Sequence, residues 1–165
     1  MLRRVYSKLR DTKDQFDGHS NLGWHLRGIK ECKHIEGWKG CALNYSCRFN
    51  KALPLWNSQF GLILFPPSTA FRNLGAAYRS VGRYEEAIKQ SKKALELSPN
   101  DLFAHLSLAI TYIKLGCDEE AKAEAAEVLK IHPKFSLDYY ARVHPLKCQS
   151  VLDDHITCLR KAGLK

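Results

Sequence analysis

Landmark residues in this chain recur 34 positions apart. Shifting the sequence by that amount lays Leu74 on Leu108, Tyr78 on Tyr112 and Gly82 on Gly116. It also lays Ala87 on Ala121, Leu95 on Leu129 and Pro99 on Pro133. A fixed period of this length marks a repeat architecture, in which units that cannot bury their own apolar face stack on one another. The fold class is therefore constrained before any single residue is interpreted.

Each unit reads as two helices. From Phe71 to Tyr78 apolar groups recur at helical spacing, and Gly82 breaks the run. Glu85 and Glu86 open a second helix, where acids suit the positive end of the helix dipole, and Ala87, Ile88, Ala94 and Leu95 form its apolar face. Pro99-Asn100 ends it. The second unit repeats the scheme. Leu106, Leu108, Tyr112 and Ile113 precede Gly116, and Asp118, Glu119 and Glu120 open a helix carrying Ala121, Ala125, Val128 and Leu129. Gly75, Ala87 and Ala121 are small enough for paired helices to approach closely, while Tyr78 and Tyr112 fill the layer beside them.

On these residues the stretch resembles the tetratricopeptide repeat (TPR) family. The family pattern is met by Phe71, Leu74-Gly75, Tyr78, Gly82, Ala87, Ala94 and Pro99. It softens at Ser91, where an aromatic is usual, and at His105, Ala109 and Val128 in the second unit. The resemblance implies an all-α α-solenoid: a right-handed superhelix of antiparallel helix pairs. It also implies a non-catalytic scaffold that binds a partner peptide or helix in its concave groove.

The C-terminal segment is expected to cap the solenoid. Ser136 is predicted to cap a short helix beginning at Leu137. Ser150 is predicted to cap a last helix with Asp153 and Asp154 in its first turn. Leu152, Ile156 and Leu159 then share one face, and Gly163 ends the helix. The segment also resembles the C-terminal end of bacterial regulators that join a nucleotide-cyclase or transcription-factor domain to TPR units. That resemblance implies a regulatory or assembly role beside a signalling enzyme, since no cyclase-like stretch lies in this chain.

The division expected is 1–66, a basic irregular region, then two units at 68–101 and 102–135, then capping helices over 136–165. Residues 1–66 hold 11 Lys/Arg against 5 Asp/Glu, so most of the net charge of +9 sits outside the repeats. Residues 43–66 imitate a degenerate repeat through Phe49, Ala52, Trp56, Phe60 and Leu62, with Pro54 as the discordant residue. The aromatics Trp24, Trp38, Tyr45 and Trp56 among these cations leave nucleic-acid binding as a less favoured alternative. His25, Cys32, His34, Cys41 and Cys47 lack the close pairs of a zinc site, so no metal and no cofactor is expected. No apolar run reaches membrane-spanning length and no secretory leader is read at the start. The expectation is a cytoplasmic protein whose six cysteines are reduced thiols, with homo-oligomerisation left open.

The resemblance also carries candidate site residues. Groove positions of the family fall on Thr69, Arg72, Asn73, Ala76 and Arg79 in the first unit, and on Phe103, Leu106, Ser107, Ile110 and Lys114 in the second. One unit presents cations and the other an apolar strip, which suits a partner with an acidic and a greasy part. The competing expectation is that the C-terminal helix covers Phe103, Leu106 and Ile110 as core. A chaperone-type carboxylate clamp is disfavoured because Ala76 stands where the clamp wants Asn. Neither a phosphate loop nor a nucleophile–base order is present.

Overall fold

The computed structural model describes residues 50–54, 66–144 and 146–165. All regular structure among them is helical. In order come α1 (Ser68–Ser80), α2 (Tyr84–Leu97), α3 (Leu102–Leu115), α4 (Asp118–Ile131), α5 (Leu137–Val143) and α6 (Gln149–Lys161). Helices α1 and α2 pack as one hairpin and α3 and α4 as the next. Helix α3 touches both helices of the first hairpin, and α6 lies on α3 and α5. This is an α-solenoid.

The period is carried by the backbone itself. Helices α3 and α4 start 34 residues after α1 and α2, and α4 also ends 34 residues after α2. The turn bonds repeat too: Arg83 N–H donates to the Tyr78 carbonyl and Cys117 N–H to the Tyr112 carbonyl. Both turns pass through a glycine in the left-handed region, Gly82 at φ 81° and Gly116 at φ 77°, where a Cβ would be strained. Within the first hairpin the close approach is real. A Cβ built on Gly75 would stand 2.8 Å from Ser91 Oγ and 3.1 Å from the Ala87 carbonyl.

Caps show where local chemistry succeeded and where it did not. Asp101 caps α3, accepting from Phe103 N–H and Ala104 N–H at 3.1 and 3.2 Å. Ser136 caps α5, accepting from Tyr139 N–H. The expected Ser150 cap is wrong. Helix α6 begins two residues earlier, at Gln149, with Cys148 at its N-cap and no side-chain bond there. Asp153 and Asp154 thus sit beyond the first turn; Asp153 accepts from Gln149, and Asp154 reaches Lys114 on α3. Asp153 is thus used within its own helix and Asp154 by a tertiary partner, and neither serves the helix start. At the other end Leu164 N–H reaches the Leu159 carbonyl and Gly163 N–H the Arg160 carbonyl, with Gly163 at φ 102°.

The main core runs from the second unit into the C-terminal segment. Leu106, Ile110, Ala121, Val128, Leu137, Leu152, Leu159 and Leu164 are all buried in it, with Ile156 packed against it. A smaller cluster joins Ala70, Leu74 and Ala77 of α1 to Ala52, in the helical stretch 50–54. The rest of the proposed degenerate repeat lies outside the described residues, as does nearly all of 1–66. Leu129, expected on the apolar face of α4, is 42% exposed, because the covering segment packs on α3 instead. Cys117 and Cys158 are free thiols, but Cys148 is disulfide-bonded, which corrects the expectation that all six are reduced. Spacing along a chain does not show which thiols a fold brings together.

Candidate functional site

Most of the groove positions of the two units border one cleft between α1 and α3. Their fates differ. Arg72 is 7% exposed, and its Nη1 donates to both oxygens of Asp101, at 2.9 and 3.0 Å. Its guanidinium also lies over the Phe103 ring, 5.5 Å from the centroid. Arg72 is therefore a buried joint between the units. Thr69 is half-buried, and its Oγ1 is enclosed without a hydrogen-bond partner.

In the second unit Leu106 and Ile110 are 2% and 1% exposed and share a core with Leu152, Leu159 and Leu164. The C-terminal segment covers them, as the competing expectation had it. Phe103 stays half-buried at the margin. Lys114 forms an ion pair with Asp154, so α6 is tied down along the same helix.

What remains open is a cleft of about 70 Å³, walled by α1 and α3 and roofed by the C-terminal segment. Asn73, Ala76 and Phe103 line it from the repeats; Tyr140, His144, Leu146 and His155 line it from the other side. A second cleft of about 170 Å³ lies beyond, between Ser80, Tyr84, Lys114, Val151 and Asp154. Arg79, Ile110 and His155 border both.

Arg79 stands at that junction. Its Nη1 donates to Ser107 Oγ at 2.5 Å and its Nη2 donates to His155 Nε2 at 3.3 Å. The side chain is partly open along its length, yet its guanidinium lies deep enough that loss of water lowers its pKa. Burial, aided by the Arg79 charge, pushes His155 down to about 2 and His144 down to about 3. Both imidazoles are therefore neutral near pH 7. Their rings meet edge to face at 6.1 Å, and Tyr140 stacks obliquely on His144 at 4.7 Å. Burial raises the Tyr140 phenol, which keeps its proton.

Tyr140, His144, Leu146 and His155 were missed as site residues in the sequence. The C-terminal segment read only as a cover there, and no period links it to α1. Among the described residues no group of His, Cys, Asp and Glu is placed to hold a metal ion. None of the helices described is long and apolar enough to cross a membrane.

Comparison with known proteins agrees with this geometry. Residues 70–116 match the family model described as TPR repeat. The stretch is of TPR type. Over 158 residues the chain is 30% identical to human anaphase-promoting complex subunit 7, covering 93% of this chain and 26% of that protein. It thus spans about a quarter of that relative's length. A shorter match, 36% identical over 62 residues, is to the peroxisomal targeting signal receptor of Saccharomyces cerevisiae, covering 38% of this chain and 10% of that one. Among solved structures MamA shares the fold, with a TM-score of 0.53 at 18% identity over 83% of this chain and 81% of that one. The expected likeness of the C-terminal segment to cyclase-type regulators is not seen in any of these matches.

Proposed function

We propose that this chain is a non-catalytic scaffold of TPR type that binds a partner peptide or helix in the part of its concave groove that the C-terminal segment leaves open. The carrying observation is the cleft between α1 and α3, flanked by Ala76 and Phe103 and reached from solvent. Two stacked helix hairpins hold its walls rigid, which lowers the ordering cost of binding. The relatives point the same way: one is a subunit of a complex and another a targeting signal receptor. In this proposal Asn73, Ala76, Arg79 and Phe103 face the partner, whereas Arg72, Leu106 and Ile110 hold the groove's shape. Lys114 anchors the cover. The regulatory association with a nucleotide cyclase and nucleic-acid binding through residues 1–66 gain no support from the described residues.

The test uses Ala76, which has little side chain to lose. Peptides are selected from a displayed random library on the full chain, then measured against Ala76→Arg. A bulky cation there fills the cleft without removing a core contact. Binding should fall at least tenfold while circular dichroism and Tm stay put. Undiminished binding to that variant would place the partner elsewhere on the molecule.

A further inference from the structure

We propose that His105 is a proton-operated latch at the joint between the two repeats: carrying two ring protons it ties the α2–α3 turn to α4, and it releases that turn when a rise in pH removes one of them. The latch works whether or not the cleft takes a peptide.

The first ground is a donor count. His105 lies one turn into α3. Its Nδ1 stands 2.6 Å from Glu124 Oε2 on α4, and its Nε2 stands 3.0 Å from the Pro99 carbonyl in the α2–α3 turn. A carboxylate and a backbone carbonyl only accept. A neutral imidazole has one N–H and satisfies one of them; an imidazolium has two and satisfies both. The arrangement is complete only with the second proton. Water is a poor substitute for the lost bond, because the residue is 8% exposed.

The second ground is what the turn carries. Two residues after Pro99, Asp101 caps α3 and holds Arg72 of α1. Its N–H donates to the Ser98 carbonyl, and its own carbonyl accepts from His105 N–H. Contacts thus run from Arg72 through Asp101 and the turn to His105 and Glu124. A proton lost at one end reaches the place where the units join.

The third ground is the surrounding charge. Glu124 and Glu127 act on the ring from α4. Toward the turn and α1 stand Asp101 and Arg72, which neutralise each other. Burial disfavours the imidazolium, but the bonds to Glu124 and the Pro99 carbonyl outweigh it and leave the pKa raised. The second proton therefore leaves above the ordinary value of about 6.5.

The fourth ground is the other repeat. One period earlier Phe71 takes the place of His105, and Gln90 that of Glu124. A plain aromatic ring satisfies the packing there, so the titratable ring is an addition to the repeat scheme, not a need of it.

The experiment takes the full chain with isotopically labelled histidine over roughly pH 5.5 to 8.5. NMR should find both ring nitrogens of His105 protonated at the acid end, with one proton lost at a single midpoint above about 6.5. Protection of the Asp101 and Ala104 amides against hydrogen exchange should fall about fivefold through the same midpoint, while amides in the middle of α2 keep theirs. His105→Phe should retain its helices by circular dichroism and make that protection independent of pH. Glu124→Gln should move the midpoint down and weaken the change, and it carries the test if His105→Phe fails to fold. A neutral ring at the acid end, a midpoint at or below the ordinary value, or one that Glu124→Gln leaves in place overturns the latch. So does turn protection that ignores the titration, or that still varies with pH in His105→Phe.

Discussion

Helices α1 and α3 are the same element written twice, 34 residues apart, and they end up in different environments. In α1 the buried residues are Ala70, Arg72, Leu74, Gly75 and Ala77. In α3 burial is nearly continuous from Leu102 to Thr111. The joints differ in kind as well. Between the units Arg72 meets Asp101. One period later the same two positions hold Leu106, buried in the apolar core under the C-terminal segment, and Phe135, half-buried and packed against it. One backbone scheme thus accepts a charge pair at one joint and a hydrophobic seal at the next. The stacking geometry belongs to the repeat. The chemistry of each face belongs to whatever is stacked on it.

The polar joint gives the sharpest way to break this comparison. Asp101→Ala strands the buried Arg72 and removes the cap of α3, and should cost about 4 kcal/mol in urea unfolding. A cost below about 1 kcal/mol, the range of an exposed pair, would show that the joint is not a buried one. The apolar joint is probed by Ile110→Ala, expected to cost about 3 kcal/mol because the cavity lies between α3 and the C-terminal segment. Hydrogen exchange should then rise first in α6.

Acid should separate the two joints next. His155 has a folded pKa well below the ordinary value of about 6.5 expected when unfolded. Its contribution is present above pH 6.5 and is lost as pH falls toward the folded value, because the unfolded chain takes up the proton first. Between pH 6.5 and pH 5 that amounts to about 2 kcal/mol, and His144 acts in the same direction. His155→Leu should flatten the profile; an unchanged slope would mean that these imidazoles are not neutral in the fold. His105 runs the other way. Burial acts to lower its pKa, but its bonds to Glu124 and the Pro99 carbonyl raise it overall. Its contribution is full below pH 6.5 and fades as pH climbs through the raised value.

The smallest effect distinguishes the two hairpins. Gly75 faces Ser91, while the equivalent pair one period later is Ala109 and Ala125. Gly75→Ala should cost about 1 kcal/mol through the contact with Ser91 Oγ. Adding Ser91→Ala should restore part of it, since the pair then matches the second unit. No recovery in the double variant would place the clash on the Ala87 carbonyl instead.

Much of the helical frame was legible because it is periodic. Gly82, Gly116 and Gly163 announce turns that only a left-handed residue makes easily, and Ser136 announces its helix. Leu152 and Leu159 likewise show a face that had to be buried. The Asp101 cap is as local a feature as the Ser136 cap; only its pairing with the distant Arg72 had no mark in the sequence. Ser150 misled for the converse reason: a good capping residue is outvoted when packing fixes where the helix begins. The family pattern pointed to the residues of α1 and α3 that line the cleft, but not to its other wall. His144 and His155 are ordinary residues in sequence, and only their approach to Arg79 gives them a role.

What the sequence determined by itself is the 34-residue rhythm of helix, turn and helix, since glycines, small residues and apolar spacing act over a few neighbouring positions. Tertiary structure decided which groove residues became core, which cation met which carboxylate and which imidazoles stay neutral. Burial, ion pairing and desolvation depend on groups such as those 29 and 76 positions apart in the chain, adjacent only once it folds.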